Sequence, residues 1–183
     1  KYDISSNQVE AILGNELDDI FISGVTDKEL SSPILPAKPW ASILLDNSRS
    51  DISKKSDISI SNVSWELLAL LVYSKEQGIL TREGIVPIGS KYLLSIEEDF
   101  STFDKKITWI SKTAAIEGFT PADSSSVEEA IDIIIADKMD FIKDKGMSAV
   151  GPLMGMVMAK LGGSADGKLV NSLLVEKIKK IGE

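Results

Sequence analysis

The stretch that decides the fold is GPLMGMVMAKLGGSADGKLVNSLLVEKI, residues 151–178. Apolar side chains recur along it at the spacing that places them on one face of an α-helix. In the first helix they are Val150, Leu153, Met154, Val157, Met158 and Leu161, and in the second they are Leu169, Val170, Leu173, Leu174, Ile178 and Ile181. Residues 162–165 supply a turn, and Asp166 is a capping residue for the second helix. The stretch therefore predicts two helices joined by a tight turn.

A further helical segment precedes this pair. Ser125 and Ser126 each have a glutamate three positions later, which is the spacing of a capping box. The apolar stripe behind them consists of Val127, Ile131, Ile134, Ile135, Met139 and Ile142, and Gly146 then breaks the chain. We therefore predict a small three-helix tail domain over residues 123–183.

The rest of the chain is also mainly helical in its pattern. The clearest helices are predicted over 63–77, which Gly78 ends, and over about 103–116. Strand-like alternation is weak and brief. The predicted fold class is therefore all-α, with a helical linker domain over residues 1–122 followed by the tail domain.

Several segments of the linker domain carry weaker signals. Ser6 is a capping candidate for a short helix that ends at Gly14, and a second short, acidic turn is predicted over 16–24. Residues 46–62 are rich in Ser, Asp, Asn and Lys, so they predict a loop or mobile linker. The segment that Thr81 begins is expected to be interrupted at Pro87 and Gly89.

Composition removes several classes of chemistry. The 183 residues include 20 Lys+Arg and 28 Asp+Glu but no His and no Cys, which gives a net charge of −8. Thiolate chemistry is excluded, and the usual neutral-pH base and commonest zinc ligand are missing. The sequence has no nucleotide-binding or nucleophile-elbow motif. Neighbouring carboxylates such as Glu128 and Glu129 point to different sides of a helix, so we predict neither catalytic residues nor a metal site.

Charge is unevenly distributed along the chain. Residues 1–136 carry 12 basic and 22 acidic side chains, a balance of −10, whereas residues 137–183 carry 8 lysines and 6 acidic side chains, a balance of +2. The tail is therefore slightly basic on an acidic protein, which favours an acidic partner such as a nucleic acid if the lysines share one surface. Lysines near a helix C-terminus, such as Lys177 and Lys180, are explained equally well by the helix dipole.

Two motifs of the tail resemble a known family. GPLMGMVM at 151–158 and ADGKLVNSLL at 165–174 are similar to the tail of the GatB/GatE family of tRNA-dependent amidotransferase subunits, which free-standing YqeY-like proteins share. The residues of both motifs are most similar to those of the archaeal, GatE-like branch. GIVPI at 84–88 and AAIEGF at 114–119 resemble the helical domain and hinge that precede the tail. The resemblance covers 124–178 and continues over 63–123, and none is found before residue 63.

The resemblance implies a role in protein synthesis in the cytoplasm. In this family the tail and its helical neighbour hold the outer part of tRNA(Gln), a separate catalytic domain uses ATP and Mg²⁺, and an amidase subunit supplies ammonia. The chain would then be a non-catalytic part of a ligase that binds no cofactor itself and does not enter a membrane. Because the chain opens with Lys1 rather than Met, we expect further residues of the protein upstream.

The resemblance also assigns residues. Lys168 matches the lysine of the family's DGK motif and is the first tRNA-binding candidate, followed by Lys160, Lys177 and Lys180. The structural motif consists of Gly151, Gly155, Asp166 and Gly167. The chain departs from the family at 162–164, where Gly-Gly-Ser stands in place of the usual basic residues.

Two other functions are weighed against tRNA binding. The strip formed by Gly151, Gly155 and Ala159 would let a neighbouring helix approach closely, and Met156 lies off the apolar stripe. These features suit a helical protein–protein adaptor that binds no nucleic acid. An enzyme of another kind would need a carboxylate or lysine as its base, and no local pattern identifies one.

Overall fold

The computed structural model describes residues 2–26, 33–162 and 164–182, and every regular element within these ranges is helical. The predicted all-α fold class is confirmed. The chain divides into two compact units, residues 1–119 and 120–183, each with its own hydrophobic core. The division falls shortly before the boundary at 122/123 that the sequence predicts. Within the described residues no helix is long and apolar enough to cross a membrane.

Seven helices build the described part of the first unit around one central helix. They are α1 (Ser6–Gly14), α2 (Asp18–Thr26), α3 (Ala37–Leu45), α4 (Ser48–Ser56), α5 (Trp65–Glu76), α6 (Ile85–Leu94) and α7 (Phe103–Glu117). In α5 every residue from 67 to 72 is buried, so this helix is covered on all sides. An all-round apolar helix is the expected centre of a helical core.

The ends of these helices follow local sequence signals. Ser5, rather than the predicted Ser6, caps α1, because its hydroxyl accepts a hydrogen bond from the Gln8 amide at 3.2 Å and the Gln8 side chain accepts one from the Ser5 amide. Gly78 follows α5 with a φ of +69°, a backbone conformation that favours glycine. The helix predicted over 103–116 is confirmed as α7.

The prediction of a loop over 46–62 is wrong. Residues 48–56 form α4, and Ile60–Asn62 is a short 3₁₀ turn. The serines are satisfied within the chain, since the Ser56 hydroxyl donates to the Ile52 carbonyl at 2.8 Å and the Ser53 hydroxyl donates to the Ile58 carbonyl at 2.6 Å. Ile52 is fully buried and holds this polar helix in the core.

The expected interruption at Pro87 and Gly89 is also wrong, because both residues lie inside α6. Pro87 occupies the first turn, where a backbone N–H has no intrahelical partner to lose. A Cβ atom on Gly89 would lie 2.7 Å from Ile52 Cδ1 and 2.9 Å from Leu71 Cδ1. The glycine therefore lets α6 approach both α4 and α5 closely.

The second unit has four α-helices in its described residues instead of the predicted three. They are α8 (Ser124–Asp137), α9 (Met139–Lys145), α10 (Val150–Lys160) and α11 (Gly167–Gly182), with a 3₁₀ turn at Gly146–Ala149 before α10. The first predicted helix is divided at Lys138. Asp123, not Ser125 or Ser126, caps α8, because its carboxylate accepts a hydrogen bond from the Ser126 amide at 2.7 Å. The predicted apolar stripes are confirmed as the core of this unit.

Candidate nucleic-acid interface

The turn between α10 and α11 is held by its own hydrogen bonds. The Gly162 amide donates to the Ala159 carbonyl at 3.2 Å, and the Ser164 hydroxyl donates to the Leu161 carbonyl at 2.6 Å. The backbone φ of Gly162 is +59°. Asp166 caps α11, as predicted, by accepting a hydrogen bond from the Lys168 amide at 2.6 Å. Gly163, which also belongs to the predicted turn, lies outside the described residues.

The same turn is fixed to the rest of the second unit. The Ala122 amide donates to the Ser164 carbonyl at 2.8 Å, and Ala165 is buried. A Cβ atom on Gly167 would lie 3.2 Å from Met154 Cε, so α11 starts in close contact with α10. The turn is therefore a defined platform between the two helices.

Lys160 and Lys168 flank this platform. Lys160 is the last residue of α10 and Lys168 is the second residue of α11, so both lie at the same end of the helix pair. Both side chains are exposed, and neither forms an ion pair with a described carboxylate. Their charges are therefore available to an anionic partner.

Lys177 and Lys180 are placed differently from the first two candidates. Lys177 Nζ lies 2.5 Å from Asp132 Oδ1, with only 26% of its side chain exposed, and Lys180 Nζ lies 2.6 Å from Glu176 Oε1. Both lysines line a groove of about 560 Å³ between α8 and α11. The groove also contains the carboxylate of Glu128, so its acidic side chains outnumber its lysines. This groove is a poor site for phosphate.

Helix geometry separates the four predicted lysines further. Lys177 follows Lys168 by nine positions, about 2.5 turns, so the two side chains lie on opposite sides of α11. Lys179 follows Lys168 by eleven positions, about three turns, and shares its face. Lys179 is exposed and has no ion pair with a described carboxylate. The structure thus adds Lys179 to the face of Lys168, and its spacing in the sequence is the signal that identifies it.

The strip of small residues does not pack against a helix within the second unit. Gly151, Gly155 and Ala159 are all exposed on α10, and a Cβ atom on either glycine would meet no described atom within 4 Å. Met156 on the same helix is also exposed. Among the described residues α11 packs against the apolar stripe of α10 and leaves this strip exposed, so docking of a partner helix there stays a prediction.

Hydrogen bonds shift the acidity of two carboxyl groups in this unit. Hydrogen bonds from the backbone and side chain of Ser126 lower the pKa of Asp123. The hydrogen bond from Lys180 lowers the pKa of Glu176. Both effects stabilise the charged carboxylate and so keep these groups ionised at neutral pH. Across the described residues no group of three or more acidic side chains could hold a metal ion.

Comparison with known proteins identifies relatives. The GatB domain family model matches residues 36–178. A glutamyl-tRNA(Gln) amidotransferase subunit of the GatE type from Thermococcus gammatolerans is 28% identical over 181 residues, which are 99% of this chain and 26% of the relative. The protein of the same name from Methanocaldococcus jannaschii is 38% identical over 105 residues, 57% of this chain and 15% of that relative.

One relative is more identical over a shorter stretch, and the family match extends beyond the predicted range. The protein of the same name from Thermococcus sibiricus is 48% identical over 67 residues, 37% of this chain and 11% of the relative. No solved structure matches the chain. The chain spans about a quarter of the Thermococcus gammatolerans relative. The family match begins at residue 36, so it reaches further toward the N-terminus than the motifs, which support the resemblance only from residue 63. Because this match covers most of the chain and enters both units, the chain belongs to the GatB domain family.

Proposed function

We propose that the chain is the tRNA-positioning part of a glutamyl-tRNA(Gln) amidotransferase subunit. The observation that carries the proposal is the family match across residues 36–178, with relatives whose name includes the tRNA substrate. The placement of Lys160 and Lys168 supports it, because two positive charges that pair with no described carboxylate flank the hydrogen bonds of Gly162 and Ser164. Such charges bind the phosphate backbone and fix the orientation of a nucleic acid without reading its sequence.

The chemistry of the conversion would belong to other parts of the enzyme. Forming glutaminyl-tRNA from glutamyl-tRNA requires activation of a carboxyl group and a supply of ammonia. This chain has no His or Cys, and its described carboxylates do not cluster as a metal site. We assign ATP and Mg²⁺ to the remainder of the protein, with an amidase subunit as the ammonia source. The work would take place in the cytoplasm, where tRNA is charged.

The contribution of this chain would be orientation of a large substrate. The face proposed to contact tRNA consists of Lys160, Lys168 and Lys179. The acidic balance of the whole chain, −8, opposes the approach of a polyanion. We therefore expect weak binding by the chain alone that depends strongly on salt concentration.

Titration of tRNA(Gln) with matched variants tests the proposal. Lys160→Gln/Lys168→Gln removes two charges that pair with no described carboxylate, whereas Lys177→Gln/Lys180→Gln removes the same charge from the groove lysines. We expect the first variant to bind about tenfold more weakly than the second at low salt, since each phosphate contact contributes independently of sequence. Equal affinities of the two variants, or no binding by the unmodified chain at low salt, would overturn the proposal.

The protein–protein adaptor is the second candidate, and the exposed strip of Gly151, Gly155 and Ala159 favours it. Under that hypothesis tRNA would not bind, and a bulky change such as Gly155→Leu would abolish association with a partner protein. Gly155→Leu is not expected to affect tRNA binding through the lysine face, so the two hypotheses are separable.

A further inference from the structure

An aromatic cluster lies at the surface of the first unit. The rings of Tyr92 and Phe100 stack with centroids 4.1 Å apart, and the Trp109 ring meets both edge-on at 5.6 Å. Trp109 and Phe100 are only half-buried, and both line a cavity of about 450 Å³ on the outer side of α7. A tryptophan held by two other rings is a rigid, preformed wall of this cavity.

The rim of the cavity is acidic. Its charged residues are Glu98, Asp99, Asp104, Lys105 and Lys112. Asp99 and Lys105 neutralise one another, because the ammonium group donates a hydrogen bond to the carboxylate. Glu98 and Asp104 have no ion pair with a described cation. Once the Asp99–Lys105 pair is set aside, Lys112 is the remaining positive charge among the residues that line the cavity. The remaining charge therefore favours a cation and disfavours phosphate.

Two exposed apolar side chains lie close in the sequence to residues that line the cavity. Ile96 precedes Glu98 by two residues and is 89% exposed, and Ile116 lies one helical turn beyond Lys112 on α7 and is 81% exposed. Large apolar side chains that are exposed next to an aromatic cavity are typical of surfaces that bind proteins. The combination of apolar, aromatic and acidic groups fits a basic segment of another protein better than it fits a nucleic acid.

The chain itself contains an arginine that stacks on a tryptophan ring. The Arg49 guanidinium lies 4.3 Å from the centre of the Trp65 ring and donates a hydrogen bond to the Val63 carbonyl at 2.9 Å. Trp109 has no such cover from any cation in the described part of the chain. A guanidinium can stack its planar face on a tryptophan ring while its N–H groups donate hydrogen bonds to carboxylates.

We propose that the cavity beside Trp109 binds an arginine side chain of a partner protein. The guanidinium would lie against the indole ring and donate to Glu98 and Asp104, while Ile96 and Ile116 contact apolar residues of the same partner segment. This surface belongs to the first unit and does not involve the tail lysines, so it is a separate activity from the proposed positioning of tRNA.

The experiment uses N-acetyl-argininamide as the probe and the three indole N–H resonances of the full chain as the readout. Trp40 is fully buried and Trp65 is already covered by Arg49, so these two signals are internal controls. We expect a saturable shift of the Trp109 resonance alone, and none with N-acetyl-citrullinamide, which has the same shape without the charge. Movement of all three resonances, or an equal response to the neutral compound, would overturn the proposal.

A matched pair of variants locates the binding groups. Glu98→Gln/Asp104→Asn removes the two carboxylates, whereas Glu10→Gln/Glu83→Gln removes the same charge from exposed positions elsewhere in the unit. We expect the first variant to bind the probe about fivefold more weakly than the second, since hydrogen bonds to charged groups exceed screened long-range attraction. Equal affinities contradict the proposal. The proposal is also contradicted if a short single-stranded RNA shifts the Trp109 signal and the arginine compound does not.

Discussion

At the scale of single residues, glycine identity is set by neighbours that are distant in the sequence. A Cβ atom on Gly24 would lie 2.3 Å from Nε1 of Trp40, whose indole N–H donates to the Ile20 carbonyl at 3.2 Å. Trp40 is fully buried, so it has no room to retreat. The contact between Gly24 and Trp40 cannot be predicted from the sequence around Gly24, because helix periodicity does not determine which residues of α2 and α3 pack together.

We therefore expect Gly24→Ala to destabilise the first unit. Overpacking against a buried ring lowers the free energy of unfolding by about 1–3 kcal/mol. Trp40, Trp65 and Trp109 all lie in residues 1–119, so urea unfolding followed by tryptophan fluorescence reports on this unit. Gly14→Ala is the control, since a Cβ atom there would meet nothing within 4 Å. Equal unfolding free energies for the two variants would contradict this packing.

At the scale of elements, the sequence predicts those helices whose apolar residues repeat. The stripes of α8, α10 and α11 and the long helix α7 are recovered because burial on one face requires that spacing, whereas α5 is recovered from its continuous apolar run. α4 is missed because Ile52 is its one buried apolar side chain and the other buried residue, Ser56, is polar. A polar composition does not reveal that such a helix packs against other elements of the core.

Ile52→Ala tests the role of α4 in the core. The deletion leaves a cavity beside Leu71 and Gly89, so the free energy of unfolding should fall by about 2–5 kcal/mol. Ile60→Ala, in the neighbouring 3₁₀ turn, removes the same atoms from a side chain that is 47% exposed, and its effect should be much smaller. Urea unfolding distinguishes them. A loop over residues 46–62 would give two small and similar losses.

The cap of α8 makes the stability of the second unit depend on pH. Because hydrogen bonds from Ser126 lower the pKa of Asp123 in the folded state, its contribution is fully present above the ordinary pKa of an aspartate. It is lost as the pH falls through the lowered folded value. Asp123→Asn keeps the oxygen acceptor but removes the titration. The unmodified chain should therefore lose more thermal stability than the variant, measured by circular dichroism between neutral pH and pH of about 2. Identical losses would contradict the cap.

At the scale of the whole molecule, the net charge of −8 is the sum of an acidic segment, residues 1–136, and a slightly basic segment, residues 137–183. The slight positive balance of residues 137–183 is visible in the sequence, but the division of its lysines into paired and unpaired groups is not. The motifs at 151–158 and 165–174 correctly predict the family, which the match over 36–178 shows. The shared face of Lys168 and Lys179 follows from their spacing on one helix, but the ion pair between Lys177 and Asp132 required three-dimensional information, because these residues are far apart in the sequence.

The salt dependence of tRNA(Gln) affinity tests the central claim most directly. The logarithm of the association constant of the unmodified chain should fall linearly with the logarithm of salt concentration, because phosphate contacts release counterions. Lys160→Gln/Lys168→Gln should reduce the steepness of this dependence by about two phosphate contacts, whereas Lys177→Gln/Lys180→Gln should leave it nearly unchanged. An unchanged slope in the first variant, or affinity that does not respond to salt, would contradict tRNA positioning by this surface.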